Sequence, residues 1–376
     1  VRPAPTGRRW RRLALGALLA CAGLGACAES ADDLASGPVR PAPEGAPWQT
    51  LVEWRLFVDT ADQVPNDRVV PYEMISPLFT DYAAKHRFIW VPEGEVLGWR
   101  DVGPLAFPVG SILVKTFAYP VDARAPALGE RLVETRLLVH ESGGWKAHTY
   151  VYAAGDPDPT KATLKRGGTV VPVSWIDADG APRSFGYVVP NENECAECHG
   201  EAPSTQPLGP RARQLDRDSD YDGVIVNQID YLASAIGFDQ PPPAEADRDR
   251  MVDPFGDADV ATRARAWLDV NCAHCHSAAG DVSQKALWFD WESTAPEVAR
   301  PVDLGVCKVP TSSGGANCER TYDIVPGEPD ASVLLCRVES TVATVQMPPL
   351  GRTQAHVEAA ALLREWIAAM EPVGCD

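Results

Sequence analysis

Past its first two dozen residues, this 376-residue chain has no apolar run long enough to cross a bilayer. It is also short of positive charge: 34 Lys and Arg stand against 52 Asp and Glu, for a net −18. Arg2, Arg8, Arg9, Arg11 and Arg12 all lie in the first 26 residues, so the remainder is more acidic still. Such a surface disfavours nucleic acid and anionic lipid heads, whose phosphates demand Lys and Arg. It suits plain solubility or a protein partner that is basic at its docking face. Nor does the chain show a phosphate-cradling glycine loop, a nucleophile–His–acid pattern or a free cluster of metal ligands. The one sequence element it repeats is a pentapeptide.

That pentapeptide is Cys-x-x-Cys-His, at Cys195-Ala196-Glu197-Cys198-His199 and again at Cys272-Ala273-His274-Cys275-His276. Two thiols with this spacing can add to the two vinyl groups of a haem, and the adjacent imidazole then reaches the iron from the proximal side. A redox dithiol or half of a four-cysteine zinc site would need no His after each pair. The motifs therefore imply two covalently bound haem c groups, with His199 and His276 as iron ligands.

Haem c is attached outside the cytoplasm, and the N-terminus reads accordingly. The five arginines precede an apolar stretch over 13–24 that is too short to span a bilayer stably. Leu24-Gly25-Ala26-Cys27 reads as a lipobox, with Cys27 acylated; cleavage after Ala28 is the alternative. These features predict an exported protein on the periplasmic side or outer membrane, held by a lipid anchor. Of ten cysteines, Cys21 goes with the signal, Cys27 takes lipid and four take haem. The remaining Cys307, Cys318, Cys336 and Cys375 suggest two disulfides in an oxidising compartment. Three pairings are possible; Cys307 with Cys318 and Cys336 with Cys375 is the expectation.

The pattern divides the chain into a signal peptide (1–26), a Pro- and Gly-rich tether (27–49), a β-rich domain (50–190), a first haem lobe (191–250) and a second haem domain (251–376). Alternation at 131–140 and 145–152 flanks a Gly-Gly turn, and 86–91, 111–119, 174–176 and 185–189 read as further strands. Helical patterns appear at 227–236, 261–275 and 356–370. The fold class expected is α+β: a sandwich- or barrel-like N-terminal domain, then a mostly α-helical di-haem region ending in a class I cytochrome c-like domain. Its C-terminal helix, carrying Trp366, is expected to pack on the helix carrying Trp267.

Met347, held out by Pro348 and Pro349, is the expected sixth ligand opposite His276, where soft sulfur favours ferrous iron. No helix leads into Cys195, and the first haem's sixth ligand stays open among Met251, Met74, His86, His140, His148 or none.

With these motifs placed, the chain resembles a family of bacterial exported di-haem c-type cytochromes. The resemblance runs from about residue 51 to 370 and rests on PYEMISPLFTDYAAKHRFIWVPEG (71–94), FPVGSILVKTF (107–117), ETRLLVH (134–140), PNENECAECHG (190–200), PLGPRARQLDRD (207–218), RARAWLDVNCAHCH (263–276), YDIVPGEPDAS (322–332) and MPPLGR (347–352). The Cys318 and Cys375 positions find no counterpart in it. The function expected is an electron-transfer relay in the cell envelope; the alternative is a peroxidase-like di-haem enzyme whose first haem is five-coordinate.

Overall fold

The computed structural model describes residues 36–153, 158, 161–200, 205–311 and 318–375. Cys27 and the export features lie outside them.

The centre of the molecule is a six-stranded antiparallel meander in the order β3 to β8. Its strands are β3 (Val69–Tyr72), β4 (Ala84–Trp90), β5 (Ile112–Pro120), β6 (Glu130–Glu141), β7 (Gly144–Val151) and β8 (Thr163–Leu164). Strand alternation gives the sheet two unlike faces. Phe88, Ile112, Val114, Leu137, Val139 and Tyr150 turn to one side, where Leu51, Trp54 and Phe57 cover them. Phe57 belongs to a small hairpin formed by β1 (Phe57–Asp59) and β2 (Val64–Pro65).

The opposite face changes character along the strands. At one end Ile89, Leu113 and Trp145 pack against Ala212, Leu215, Ile229 and Leu232. These last sit on α2 (Ala212–Leu215) and α3 (Gln228–Ala235), which flank the hairpin β11 (Asp218–Tyr221) and β12 (Val224–Asn227). At the other end Phe117 and Tyr119 meet Tyr187, Val171 and Val173 of the hairpin β9 (Thr169–Ile176) and β10 (Pro182–Val189). Between these apolar patches the face is charged, and there it meets the first Cys-x-x-Cys-His motif.

The C-terminal part is built on three helices: α4 (Val260–Asn271), α5 (Val333–Glu339) and α6 (Val357–Ala369). Asp259 caps α4 by accepting from the Thr262 amide at 3.0 Å. Trp267, Leu268, Leu335, Leu363, Trp366 and Ile367 share one core, so the helices carrying the two tryptophans do pack together. Truncating either tryptophan would cost about 3–5 kcal/mol.

Two expectations need correction. The sheet is open, since β3 and β8 are its edges, and the region after residue 190 is not mostly helical. Among the described residues it holds α4, α5, α6, the short α2 and α3, the helix Glu192–His199 and the β11–β12 hairpin, joined by long irregular segments. The reading of a mostly α-helical di-haem region with a class I cytochrome c-like domain is therefore wrong. Proline and glycine punctuation keeps 277–332 in turns.

The disulfide pairing also differs: the bonds are Cys307–Cys375 and Cys318–Cys336, with Cα separations of 5.0 and 6.6 Å. The cause is local pairing of extended chain. Tyr322 bridges Ser332 and Arg320 donates to the Ser332 carbonyl, which brings Cys318 to Cys336 on α5. After α6 the chain doubles back past Gly327, whose amide donates to the Ile367 carbonyl at 2.9 Å, and reaches Cys307.

The sheet and the C-terminal helices are tied through residues 73–82. The Phe79 amide donates to Asn271 Oδ1 at 2.8 Å and the Ser76 amide to Gln214 Oε1 at 3.0 Å. The buried Asp81 carboxylate accepts from the Thr353 amide and hydroxyl and from the Gln354 amide at 2.7–3.0 Å.

Candidate functional site

The first motif lies in a helix, α1 (Glu192–His199), entered directly from β10 through Pro190. Asn191 starts it: its side chain accepts from the Asn193 and Glu194 amides at 2.9 and 3.0 Å, while Glu194 accepts from the Asn191 amide at 2.7 Å. This reciprocal cap was legible as Asn-x-x-Glu, and it explains a helix where the sequence suggested only a turn. Helical spacing puts Cys195 and Cys198 one above the other on one face. Gly200 ends the helix at φ 79°, and the chain returns so that the His199 Nδ1 lies 2.8 Å from the Gln206 carbonyl. As an Nδ1–H donor, the ring is fixed in the tautomer that leaves Nε2 free for a metal.

The second motif follows the end of α4 in a tight turn, where the His276 amide donates to the Cys272 carbonyl at 2.9 Å. A Cβ at Gly280 would run into the Cys275 carbonyl, so only glycine lets the chain fold back over this turn. Cys272 packs against the C-terminal core, and the His276 ring sits 5.6 Å from Phe289. His276 Nδ1 is buried without a hydrogen-bond partner.

The two motifs meet. Cys198 makes side-chain hydrogen bonds with Cys275 and His274; the Cys275 bond and burial push the Cys198 thiol up against the opposing pull of His274, while the Cys198 bond pulls the Cys275 thiol down. Burial raises Cys195, and raises Cys272 to about 12. Burial also lowers His199 and His276 to about 4, so both imidazoles are neutral, the form that binds metal. All four motif thiols are free.

Both motifs border one cavity of about 250 Å³, the second through His274. That is just below the ~300–1,000 Å³ of ordinary small-ligand pockets. Cys195, Cys198 and His199 line it from α1, Trp267 and Asn271 from α4, and His274 from the second motif. Met347 also faces it, its backbone held by the Arg337 carbonyl at 2.9 Å and by Arg352, whose Nη2 donates to the Met347 carbonyl at 2.8 Å. Cys272, Cys275 and His276 do not line this cavity. Met347 is thus brought to the same space as His199 and His274, not visibly to His276.

Of the residues left open for the first site, Met74 alone lines the cavity, near Gly209. The others are engaged elsewhere. His86 contacts Glu130 at 2.5 Å, and His140 Nδ1 lies 2.9 Å from the Phe107 carbonyl with its ring stacked on Trp145. His148 lies near Trp54 on the far face of the sheet, and Met251 is buried beside the backbone of Arg213.

Sequence reasoning missed Arg87, Lys115 and Arg136, which line the cavity from β4, β5 and β6. It also missed His356, stacked on Phe79 at 4.1 Å and accepting from Trp267 Nε1 at 3.1 Å. The signal for the cations was present as single basic residues inside otherwise apolar strands, ILVKTF and ETRLLV.

The donors fit a c-type haem best at the first motif, with paired thiols on one helix face, an imidazole fixed through Nδ1 and an open-mouthed cavity beside them. Among the described residues no three or more His, Cys, Asp and Glu side chains cluster as a ligand set for a metal ion, and no helix is long and apolar enough to cross a membrane. Compared with protein-family models, characterised proteins and solved structures, the chain matches none.

Proposed function

We propose that this chain is an exported di-haem c-type cytochrome that relays electrons in the bacterial cell envelope, as its resemblance to that family implies. The observation that carries the reading is the meeting of the two Cys-x-x-Cys-His motifs, 73 residues apart in sequence at closest, through Cys198, Cys275 and His274 beside one cavity. When bound, haem supplies a one-electron ferric–ferrous couple. The residues do the rest. Cys195 with Cys198, and Cys272 with Cys275, would form the thioethers; His199 and His276 would supply imidazole ligands. Met347 and Met74 are the thioether sulfurs within reach of the cavity. Leu113, Leu138 and Leu208 give the cavity apolar walls against which a macrocycle would pack. The acidic surface suits a partner that is basic where it docks.

Intact mass of the protein matured with a haem-attachment system tests this. Two haems that survive acid–acetone extraction are expected. A mature protein with one haem, none, or extractable haem overturns the reading.

A further inference from the structure

The sheet face beneath α1 carries like charges side by side. Arg87 on β4 pairs directly with Lys115 on β5, and Lys115 with Arg136 on β6; Thr149 on β7 completes the row. With neighbouring strands about 4.8 Å apart, the three cations span roughly 10 Å. All four residues line the cavity, between the apolar patch at Leu113 and the aromatic patch at Phe117 and Tyr187. Like charges directly opposite each other destabilise a sheet, and sheltering them from water costs more.

Only one of the three is neutralised. Arg136 binds the Glu134 carboxylate through Nε and Nη2 at 3.0 and 2.5 Å, and Tyr187 donates to the same carboxylate at 2.6 Å. Lys115 forms no ion pair among the described residues; its ammonium sits 5.0 Å from the Phe117 ring. Arg87 donates to the Lys85 carbonyl at 3.3 Å and also forms no ion pair among the described residues. Burial pulls Arg87 down and Lys115 well down. Arg211 and Arg352 line the same space, against only two carboxylates. Of those, Glu194 caps α1 and Asp269 holds Arg211 at 3.3 Å. In a chain of net charge −18, this cationic wall is a local exception.

We propose that Arg87 and Lys115 form a seat for the carboxylates of the cavity's occupant, namely the two propionates of the haem tied to Cys195 and Cys198. The proposal rests on the di-haem reading. Charge and direction both fit. Arg87 and Lys115, neither held by a carboxylate, face two acids, and an acid beside Lys115 favours the charged ammonium that burial alone disfavours. Arg136 pairs with Thr149 on one side and Lys115 on the other, and acts on Cys195 and His199, whereas Arg87 acts on neither, so the row starts beside the thiols and runs away from them toward Arg87. A macrocycle fastened at its vinyl edge presents its acids at the opposite edge. A free small carboxylate or oxyanion has the same chemistry, and the test separates the two.

The haem-loaded full chain is compared with Lys115→Gln, Arg87→Gln, Thr149→Val and the charge-keeping Arg87→Lys. Intact mass comes first: a wild type without covalent haem sinks the di-haem reading by itself, before the seat is tested. Given two haems, resonance Raman should show the propionate-bending band of one haem shifted in both Gln variants. That haem's midpoint potential should fall and become pH-dependent as a released propionate titrates. Thr149→Val, at the thiol end of the row, should leave the band unshifted, and Arg87→Lys should restore the wild-type band. Acetate and phosphate, titrated onto wild type at constant ionic strength, should give no saturable spectral change. Unshifted bands in all the variants overturn the proposal. So does saturable anion binding to wild type that weakens tenfold or more in the Gln variants, because the row would then hold a free anion.

Discussion

His199 and His148 carry the same imidazole and are both pushed to about 4 by burial, yet their surroundings set different roles. His199 has its Nδ1 on the Gln206 carbonyl and borders the cavity, whereas His148 Nδ1 is buried without a partner on the far face of β7. For His148 the consequence is acid sensitivity. Its folded pKa lies below the ordinary 6.5, so the unfolded chain takes up a proton that the folded chain refuses between pH 6.5 and about 4. Its contribution is complete above pH 6.5 and is lost as pH falls through that window, by about 3 kcal/mol at most. Urea midpoints at pH 7.5 and 4.5 check this: His148→Leu should narrow the gap between them, and an unchanged gap would refute it. The two methionines at the cavity call for a different measurement. Met347→Ala and Met74→Ala should each keep two covalent haems but lower the potential of one, by loss of a soft ligand. Repeating each in a Cys272→Ser/Cys275→Ser background identifies the haem concerned. If Met347→Ala perturbs the haem that remains there, Met347 serves His199 rather than His276.

At the scale of elements, the joint between sheet and C-terminal helices hangs on one carboxylate. Asp81 accepts four hydrogen bonds from Thr353 and Gln354, a few residues after Met347. Asp81→Ala leaves those donors unsatisfied and should cost about 2–4 kcal/mol, with Asp81→Asn costing less because one acceptor survives. Limited proteolysis should cut first near 347–356 in the alanine variant; cleavage elsewhere, or no loss of stability, would count against this tie. None of that was legible in the sequence, because Asp81 and Thr353 are 272 residues apart and nothing local announces their meeting. Elements governed by local rules were legible. The alternation at 131–140 and 145–152 lies within β6 and β7, and the 3.6-residue pattern at 356–370 marks α6. Short strands such as β1, β2 and β8 have too few residues to show a period. Helix α1 was hidden because its composition is polar and its capping box was overlooked. The helical lobes expected after residue 190 failed for a further reason: a few strong helical patterns were extended across segments whose prolines and glycines hold them in turns. Disulfide pairing depends on how such segments double back, which cysteine counting does not register.

For the whole molecule, what matters is that the motifs touch. Cys198 and Cys275 are hydrogen-bonded, so haems attached through them would lie close together, and an electron added to one would be felt at the other. Two unit charges about 10 Å apart at an effective dielectric of about 20 interact by ~1.7 kcal/mol, well above thermal energy. The linkage would be reciprocal: reducing either haem would disfavour reduction of its neighbour by the same free energy. The cationic row would bias the pair, since positive charge beside the first haem would favour its reduced form. A potentiometric titration should therefore give two one-electron steps that do not belong to independent centres. Deleting the second haem with Cys272→Ser/Cys275→Ser removes the neighbour's charge, and the remaining haem should then titrate at a shifted potential. The same shift should appear, with roles exchanged, in Cys195→Ser/Cys198→Ser. Equal potentials with and without the neighbour, in both directions, would mean that the contact between Cys198 and Cys275 does not persist once haem is attached, and a relay through it would have to be abandoned.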